Sequence, residues 1–261
     1  MLQLISLISG SSGNASLVTD GKTNLLIDCG TSGKKLEAAL KEADVMPECI
    51  DALLITHEHS DHIRGAGVMA RKYKLPVYAT PLTHAAMDVG RMEDSQRCTV
   101  KAGSGFEIGT IGIMPFSIPH DAAEPVGYSF FGGNDKVSIA TDIGCMNEEI
   151  MNGLFGSRSI ILESNHDVHM LEIGPYPYPL KKRILSDIGH LSNENASKTA
   201  LELVKHGTKH IMLGHLSVQN NLPEIAVMET FNRLTGAGVE IDRDVTLQVA
   251  ERFAVTRFKE L

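Results

Sequence analysis

Tryptophan is absent from the 261 residues, and the aromatic content is only 5%. Cysteine is scarce too: Cys29, Cys49, Cys98 and Cys145 stand far apart with no C-x-x-C pair. A disulfide framework and a thiolate zinc site are therefore not expected. No run approaches the roughly 18 apolar residues that a membrane-spanning helix needs. Residues 1–8 are apolar but lack a charged leader, and Gly10 and Asn14 follow closely. They read as a first strand and not as a signal peptide, so a cytoplasmic setting is expected. Basic residues are outnumbered, 24 against 32 acidic, for a net charge of −8. Such a balance argues against non-specific coating of nucleic acid, which relies on many phosphate-neutralising cations. It leaves room for an enzyme whose positive charge is local, as with bound metal ions. What the chain has in excess is histidine, with 11.

Length and composition suit a single domain over residues 1–261. Apolar runs that read as strands occupy residues 2–8, 23–27, 52–56, 77–79, 108–116, 126–131, 137–140, 160–163 and 210–213. Leu36, Ala39, Leu40 and Ala43 form one helical face. Ala196, Ala200, Leu203 and Val204 form another, with Ser192 as its N-cap and Glu194 in the first turn. A third helix opens at Pro223-Glu224 and runs to about 234, ahead of Gly236 and Gly238. Turn signals at Gly109-Thr110 and Gly132-Gly133-Asn134-Asp135 pair strands as hairpins, which a doubly wound parallel sheet does not do. Two mixed sheets packed face to face with helices outside, an α/β (α+β) arrangement, are expected instead.

The decisive segment runs from Leu53 to His62, where an apolar strand leads straight into H-x-H-x-D-H. Residues two apart in extended chain point to the same side, so His57 and His59 can hold one metal together. Asp61 and His62 fall in the next turn, where they can face a second ion. Three more strands end in metal-competent residues: His120, Asp142 and His215. Taken singly each would read as a turn or cap residue. Together they complete a set of seven.

These motifs, with Asp28 after the strand Leu26-Ile27, occur in the order found in the metallo-β-lactamase superfamily, which the chain resembles over about residues 2–220. The resemblance implies an αββα sandwich with two divalent ions, Zn or Mn, at the rim of the sheets. It places His57, His59 and His120 on the first ion and Asp61, His62 and His215 on the second, with Asp142 bridging. Asp28 would orient the histidine loop. A strand-end cysteine ligand, common in antibiotic-hydrolysing members, is missing, so a lactamase is not expected. Glu124-Pro125-Val126-Gly127-Tyr128 and Gly189-His190-Leu191-Ser192 resemble segments of tRNA 3′-processing nucleases, in which a similarly placed histidine gives a proton at the scissile phosphate. The catalytic residues so implied are Asp61 and His190. Those nucleases pair that histidine with a glutamate just before the fourth motif. Here Ile139, Ala140 and Thr141 stand there, leaving Glu163 or Asp187 as the partner of His190.

Gly10-Ser11-Ser12-Gly13-Asn14, Glu163-Ser164-Asn165-His166-Asp167 and the two Gly-His-Leu-Ser segments are similar to the bacterial YycJ (WalJ) group of exonucleases. The resemblance implies a 5′→3′ exonuclease acting on DNA, with a role in repair, in which a metal-bridging hydroxide attacks phosphorus. The 73 or so residues between Asp142 and His215 leave no room for the β-CASP domain inserted in the RNase J families. Expected substrate contacts are Ser11, Ser12, Asn14, Asn165, His166, Lys181, Lys182 and Arg183. For the Gly10–Asn14 segment a plain hairpin turn competes with a phosphate cradle. For the last three, preceded by Pro-spaced tyrosines, a solvated Pro-rich loop competes with base stacking and phosphate contact. A small-molecule hydrolase, either a glyoxalase II-like thioesterase or a cyclic phosphodiesterase, would use the same two metals. A non-catalytic metal-binding regulator fits the full ligand set poorly. No obligate protein partner is indicated.

Overall fold

The computed structural model of the chain describes residues 1–259 and 261. Strands β1 (Gln3–Ile8), β2 (Ala15–Thr19), β3 (Asn24–Ile27), β4 (Ala52–Leu54), β5 (Val77–Ala79) and β6 (Arg97–Thr99) build most of one sheet. The other holds β7 (Phe106–Ile108), β8 (Ile111–Ser117), β9 (Val126–Gly132), β10 (Asp135–Ala140), β11 (Ser159–Glu163), β12 (His210–Gly214) and β13 (Thr246–Val249). The last strand, β14 (Thr256–Arg257), returns to the first sheet beside β1. Each sheet has seven strands, in the orders β14-β1-β2-β3-β4-β5-β6 and β13-β12-β11-β10-β9-β8-β7. Both are mixed, with antiparallel hairpins joined to parallel strands.

Three apolar layers hold this together. Between the sheets lie Leu4, Val18, Ile27, Tyr128, Phe130 and Met212, among others. On the outer face of the first sheet, α1 (Gly33–Glu42) and α3 (Ala66–Tyr73) bury Leu36, Leu40 and Met69. On the outer face of the second, α5 (Glu148–Leu154), α8 (Asn193–Lys205) and α9 (Pro223–Gly236) bury Ile150, Leu203 and Leu234. The two mixed sheets expected from the hairpin signals, and the αββα sandwich that the resemblance implies, are therefore the fold. Ser192 caps α8 as expected, its side chain accepting from Asn195 N.

Two expectations are corrected. The strand read at 108–116 is two strands, β7 and β8, because the chain reverses at Gly109, whose φ is 56°. A Cβ there would also sit 2.2 Å from Thr23 Oγ1. The Pro-spaced tyrosine segment is not a loop at its basic end. Tyr178–Ile184 is a helix, α7, preceded by α6 (Val168–Ile173), and Pro179 occupies its first turn. The short helices α2 (Ser60–Ile63) and α4 (Pro81–Ala86) complete the set. Among the described residues no helix is long and apolar enough to cross a membrane.

Candidate metal centre

The pairings run β1, β3 and β4 in one direction in the first sheet, and β8, β10, β11, β12 and β13 in one direction in the second. Their C-terminal ends supply the site residues. Asp28 follows β3, His57 to His62 follow β4, His120 follows β8, Asp142 follows β10, Glu163 ends β11 and His215 follows β12. Three of these residues turn the chain off its strand with a left-handed backbone. Asp28, Asp142 and His215 adopt it at φ 59°, 60° and 55°, half of the six non-glycine residues that do among those described. Each such residue costs about 1–2 kcal/mol. Clustered strain of that kind is a mark of a functional site.

The ligand-bearing atoms converge. His57, His59 and His120 present nitrogens within 4.8 Å of one another, as do Asp61, His62 and His215 with their ligand atoms. His57, His62 and Asp142 form a third such group that joins the first two. Asp142 Oδ2 stands 3.2 Å from His62 Nε2, and Oδ1 stands 3.8 Å from His120 Nε2. The carboxylate expected to bridge thus lies between the two trios.

Hydrogen bonds fix which nitrogen of each ring faces inward. Asp28 Oδ2 takes His62 Nδ1 at 2.8 Å, while its two oxygens also accept from Thr56 N and Oγ1. Thr56 Oγ1, having given its proton to Asp28, accepts from His57 Nδ1 at 3.0 Å. The Gly189 carbonyl takes His120 Nδ1 at 3.1 Å, and Glu163 Oε1 takes His215 Nδ1 at 2.8 Å. All four rings spend Nδ1 on an acceptor, so Nε2 is left for the centre. This is the arrangement by which outlying carboxylates and carbonyls orient metal-binding histidines. His59 instead turns Nδ1 toward His120 Nε2, at 3.2 Å. His57 Nε2 is buried with no hydrogen-bond partner among the described residues, and the buried Asp142 Oδ2 faces the His62 ring at 3.2 Å. A buried polar atom without a partner is costly, and both atoms point into a nest of N and O donors without thiolate, suited to Zn²⁺ or Mn²⁺. The residues present fit divalent cations.

Electrostatics agree. Burial, then the charge on His62, pushes the His57 imidazole well below its usual range and keeps it neutral. Burial works against ionising Asp142, but the His215 and His62 charges hold its carboxyl well below the carboxylate range. Burial likewise disfavours charge on His215, yet Asp142, Asp61 and Glu163 raise it to about 10, and Asp142 and Asp28 raise His62 in the same way. The carboxylates demand positive charge, met here by protons that a cation at either Nε2 would displace.

Glu163 is the residue that sequence reasoning left unassigned. It is fully buried at the end of β11, and its Oε1 accepts from both His190 Nδ1 (2.9 Å) and His215 Nδ1 (2.8 Å). Its Oε2 accepts from the backbone N–H groups of Ile143 and Leu191. Burial opposes the charge, but His190 and His215 bring its pKa down to about 2. Of the two candidates for the partner of His190, Glu163 makes the bond. With Nδ1 engaged and the side chain 21% exposed, His190 has Nε2 free of hydrogen bonds to the described residues. Its ring lies 5.1 Å from that of His120 and 5.2 Å from that of His215.

The expected substrate contacts fare differently. Ser11 and Ser12 are exposed in a turn. Asn14 turns inward: its amide lies 3.1 Å from His62 Nε2 and 3.4 Å from Asp61 Oδ2, while its oxygen accepts from Gly10 N. Asn165 is also buried, donating to the His215 carbonyl. His166 is 1% exposed, with neither ring nitrogen partnered among the described residues, and burial lowers its pKa to about 4. These three side chains are not open to solvent as the expected pocket requires, because the strand-end turns fold them beneath the rim. Lys181 donates to the Glu172 carbonyl, and Arg183 is ion-paired with Asp121 beside His120. Of that basic run, Lys182 is left without an ion pair or side-chain hydrogen bond among the described residues.

The sequence matches the family described as the metallo-beta-lactamase superfamily over residues 8–215. It is 42% identical over 234 residues to a Bacillus anthracis protein named exodeoxyribonuclease YycJ, covering 89% of each chain. It is equally identical over 242 residues, 90% of each chain, to a Streptococcus pneumoniae protein named exodeoxyribonuclease WalJ. Among solved structures it resembles the metallo-beta-lactamase fold protein YhfI from Bacillus subtilis, with a TM-score of 0.69, 16% identity and 98% and 99% of the two chains covered. The short form of human tRNase Z is similar at a TM-score of 0.65, 16% identity and 98% of both chains.

Proposed function

The chain belongs to the metallo-beta-lactamase superfamily, and from that premise we propose that it is a two-metal phosphodiesterase degrading DNA from the 5′ end. His57, His59 and His120 would hold one cation, Asp61, His62 and His215 the other, and Asp142 both. Bound there, the cations would supply Lewis-acid polarisation of a phosphoryl oxygen and lower the pKa of a water. Asp28 and Glu163 keep the ligand rings in the tautomer that offers Nε2. Asn14 steadies the carboxylate of Asp61.

The observation that carries the reading is the bond from Glu163 to His190. It poises a partly exposed imidazole at the rim that stands outside the proposed ligand set. A departing sugar alkoxide is strongly basic and needs a proton, which a histidine near neutral pH can give. A departing thiolate, with a pKa of about 8.5, needs none. A proton donor of this kind favours a phosphodiester over a thioester. Relatives that span about nine-tenths of the chain and are named exodeoxyribonucleases support DNA as the polymer. Exposed Ser11 and Ser12 remain as hydroxyl contacts for a terminal phosphate. Trimming of DNA ends, as in repair, in a cytoplasmic setting where four cysteines stay unpaired, completes the reading.

Its test is a substrate panel for the metal-loaded protein: 5′-phosphorylated single-stranded DNA, a glutathione thioester and a cyclic phosphodiester. DNA hydrolysis at the highest kcat/KM is expected. Preference for the thioester or the cyclic diester would replace the reading with a small-molecule hydrolase.

A further inference from the structure

The basic residues that the sequence offers as a DNA contact are largely committed within the protein, which raises the question of what else grips the strand. Beside the metal rim, on the flank away from α7, lies a cleft of about 430 Å³ lined by Lys35, Arg64, Arg252, Phe253, Ser12 and the single acid Glu42, among others. Topology puts it there: the Gly10–Asn14 turn leaves β1 at the rim, and residues 250–255 cross at the same end from β13 to β14. Arg183 sits by Asp121, just past β8, whereas Arg252 donates to Leu216, just past β12. The strand order separates these two flanks by β9, β10 and β11.

Several features mark the cleft as built for an anionic chain. Arg64 follows α2, which carries Asp61 and His62, and its guanidinium reaches the Ser12 carbonyl at 3.4 Å. The cations therefore stand on the back of the turn whose Asn14 touches Asp61. Arg252 lies across Gly10, where a Cβ would come 3.1 Å from its Nε. Among the described residues, Lys35, Arg64 and Arg252 form no ion pair, and Arg64 and Arg252 each donate to one backbone carbonyl. In a chain of net charge −8, three cations against one acid around one cleft are a local reversal of sign. Phe253 projects beside them with 78% of its surface in solvent. Cations that follow a backbone and an aromatic ring that stacks a base are the two components of single-strand binding.

We infer that this cleft, formed by Lys35, Arg64, Arg252 and Phe253 against the Gly10–Asn14 turn, holds the single-stranded DNA next to the scissile phosphodiester. The cations take backbone phosphates and Phe253 stacks on a base. The inference rests on the phosphodiesterase reading above, and the test separates the two. Steady-state hydrolysis of a single-stranded oligonucleotide by the metal-loaded full chain is followed from 50 to 200 mM salt. Phe253→Ala should raise KM about tenfold, within the range of one lost base stack. Lys35→Ala and Arg252→Ala should each lower the slope of log(1/KM) against log salt by about 0.7. Lys35→Glu should raise KM further than Lys35→Ala. Lys35 and Phe253 are exposed and make no side-chain hydrogen bond among the described residues, so changing either of them leaves the fold intact. Wild-type cleavage of DNA with KM and salt slope unchanged in the variants would overturn the cleft alone. A wild-type chain that does not cleave DNA would overturn both the cleft and the reading beneath it.

Discussion

Replacing Glu163 with Gln keeps the shape of the side chain and removes one acceptor. The amide can be oriented in two ways. Its oxygen must face the fixed N–H donors of Ile143 and Leu191, at 2.7 and 3.1 Å, because those peptides cannot change their protons. The NH₂ group then faces His190 Nδ1 and His215 Nδ1, where a carboxylate oxygen now accepts at 2.9 and 2.8 Å. Donor would meet donor unless both imidazoles move their proton to Nε2. For His215 that occupies the nitrogen proposed to bind a cation, and loss of such an orienting partner costs about 10- to 100-fold in metal affinity. For His190 it removes the carboxylate that stabilises the charged ring, and loss of general-acid catalysis costs about 10²- to 10⁴-fold in rate. Metal titration by calorimetry, followed by single-turnover DNA cleavage at saturating metal, reads the two effects separately. On a bis(4-nitrophenyl) phosphate, whose leaving group needs no proton, the rate loss should shrink. Glu163→Gln protein with wild-type metal affinity and wild-type DNA turnover would refute the tautomer argument.

Further outcomes follow from the same geometry. Asp142→Ala should lower the metal content from two ions per chain and remove most activity, as measured by elemental analysis of active protein. A wild-type content of one ion per active chain would rule out the dinuclear arrangement. His215→Ala should weaken metal binding, whereas His190→Ala should keep both ions and lose about 10²- to 10⁴-fold in turnover. A lost ion in His190→Ala would make that residue a ligand instead. Burial holds the folded pKa of His166 at about 4, below its ordinary 6.5. The unfolded chain then binds the extra proton first, so stability present above pH 6.5 drains away as pH falls toward 4. Thermal unfolding of His166→Gln should lose less of its Tm over that interval than wild type, and an identical acid dependence would count against the assignment.

The proposed ligands were legible because they gather just past buried apolar strands: Leu53-Leu54-Ile55 before the 57–62 segment, Ile211-Met212-Leu213 into His215, Ser138-Ile139-Ala140 toward Asp142. Polar residues there have no packing reason to exist. The hairpin turns likewise announced mixed sheets, and Ser192 announced α8. What stayed hidden was set by long-range packing. Glu163 follows Ile160-Ile161-Leu162 in the same manner as a ligand, and only the positions of Ile143, Leu191 and both histidines show that its oxygens are taken. Asn14 read as a substrate contact in a turn because nothing local reveals that Asp61 and His62 lie across from it. Edge strands β6 and β14 are three and two residues long and partly exposed, too short for a period-two signal. Prolines and tyrosines at 175–179 masked α7, since Pro179 is tolerated in its first turn. Arg64 and Arg252, far apart in the chain, meet only because β14 returns to β1.

The most direct measurement of the central claim is a time course of metal-loaded protein on single-stranded DNA carrying a 5′-phosphate, labelled in parallel at either end. A phosphodiesterase working from the 5′ end should release the 5′ label at once as a mononucleotide, while the 3′-labelled strand shortens as a descending ladder. Early release of the 3′ label, or intact DNA alongside hydrolysis of a small ester, would contradict the account.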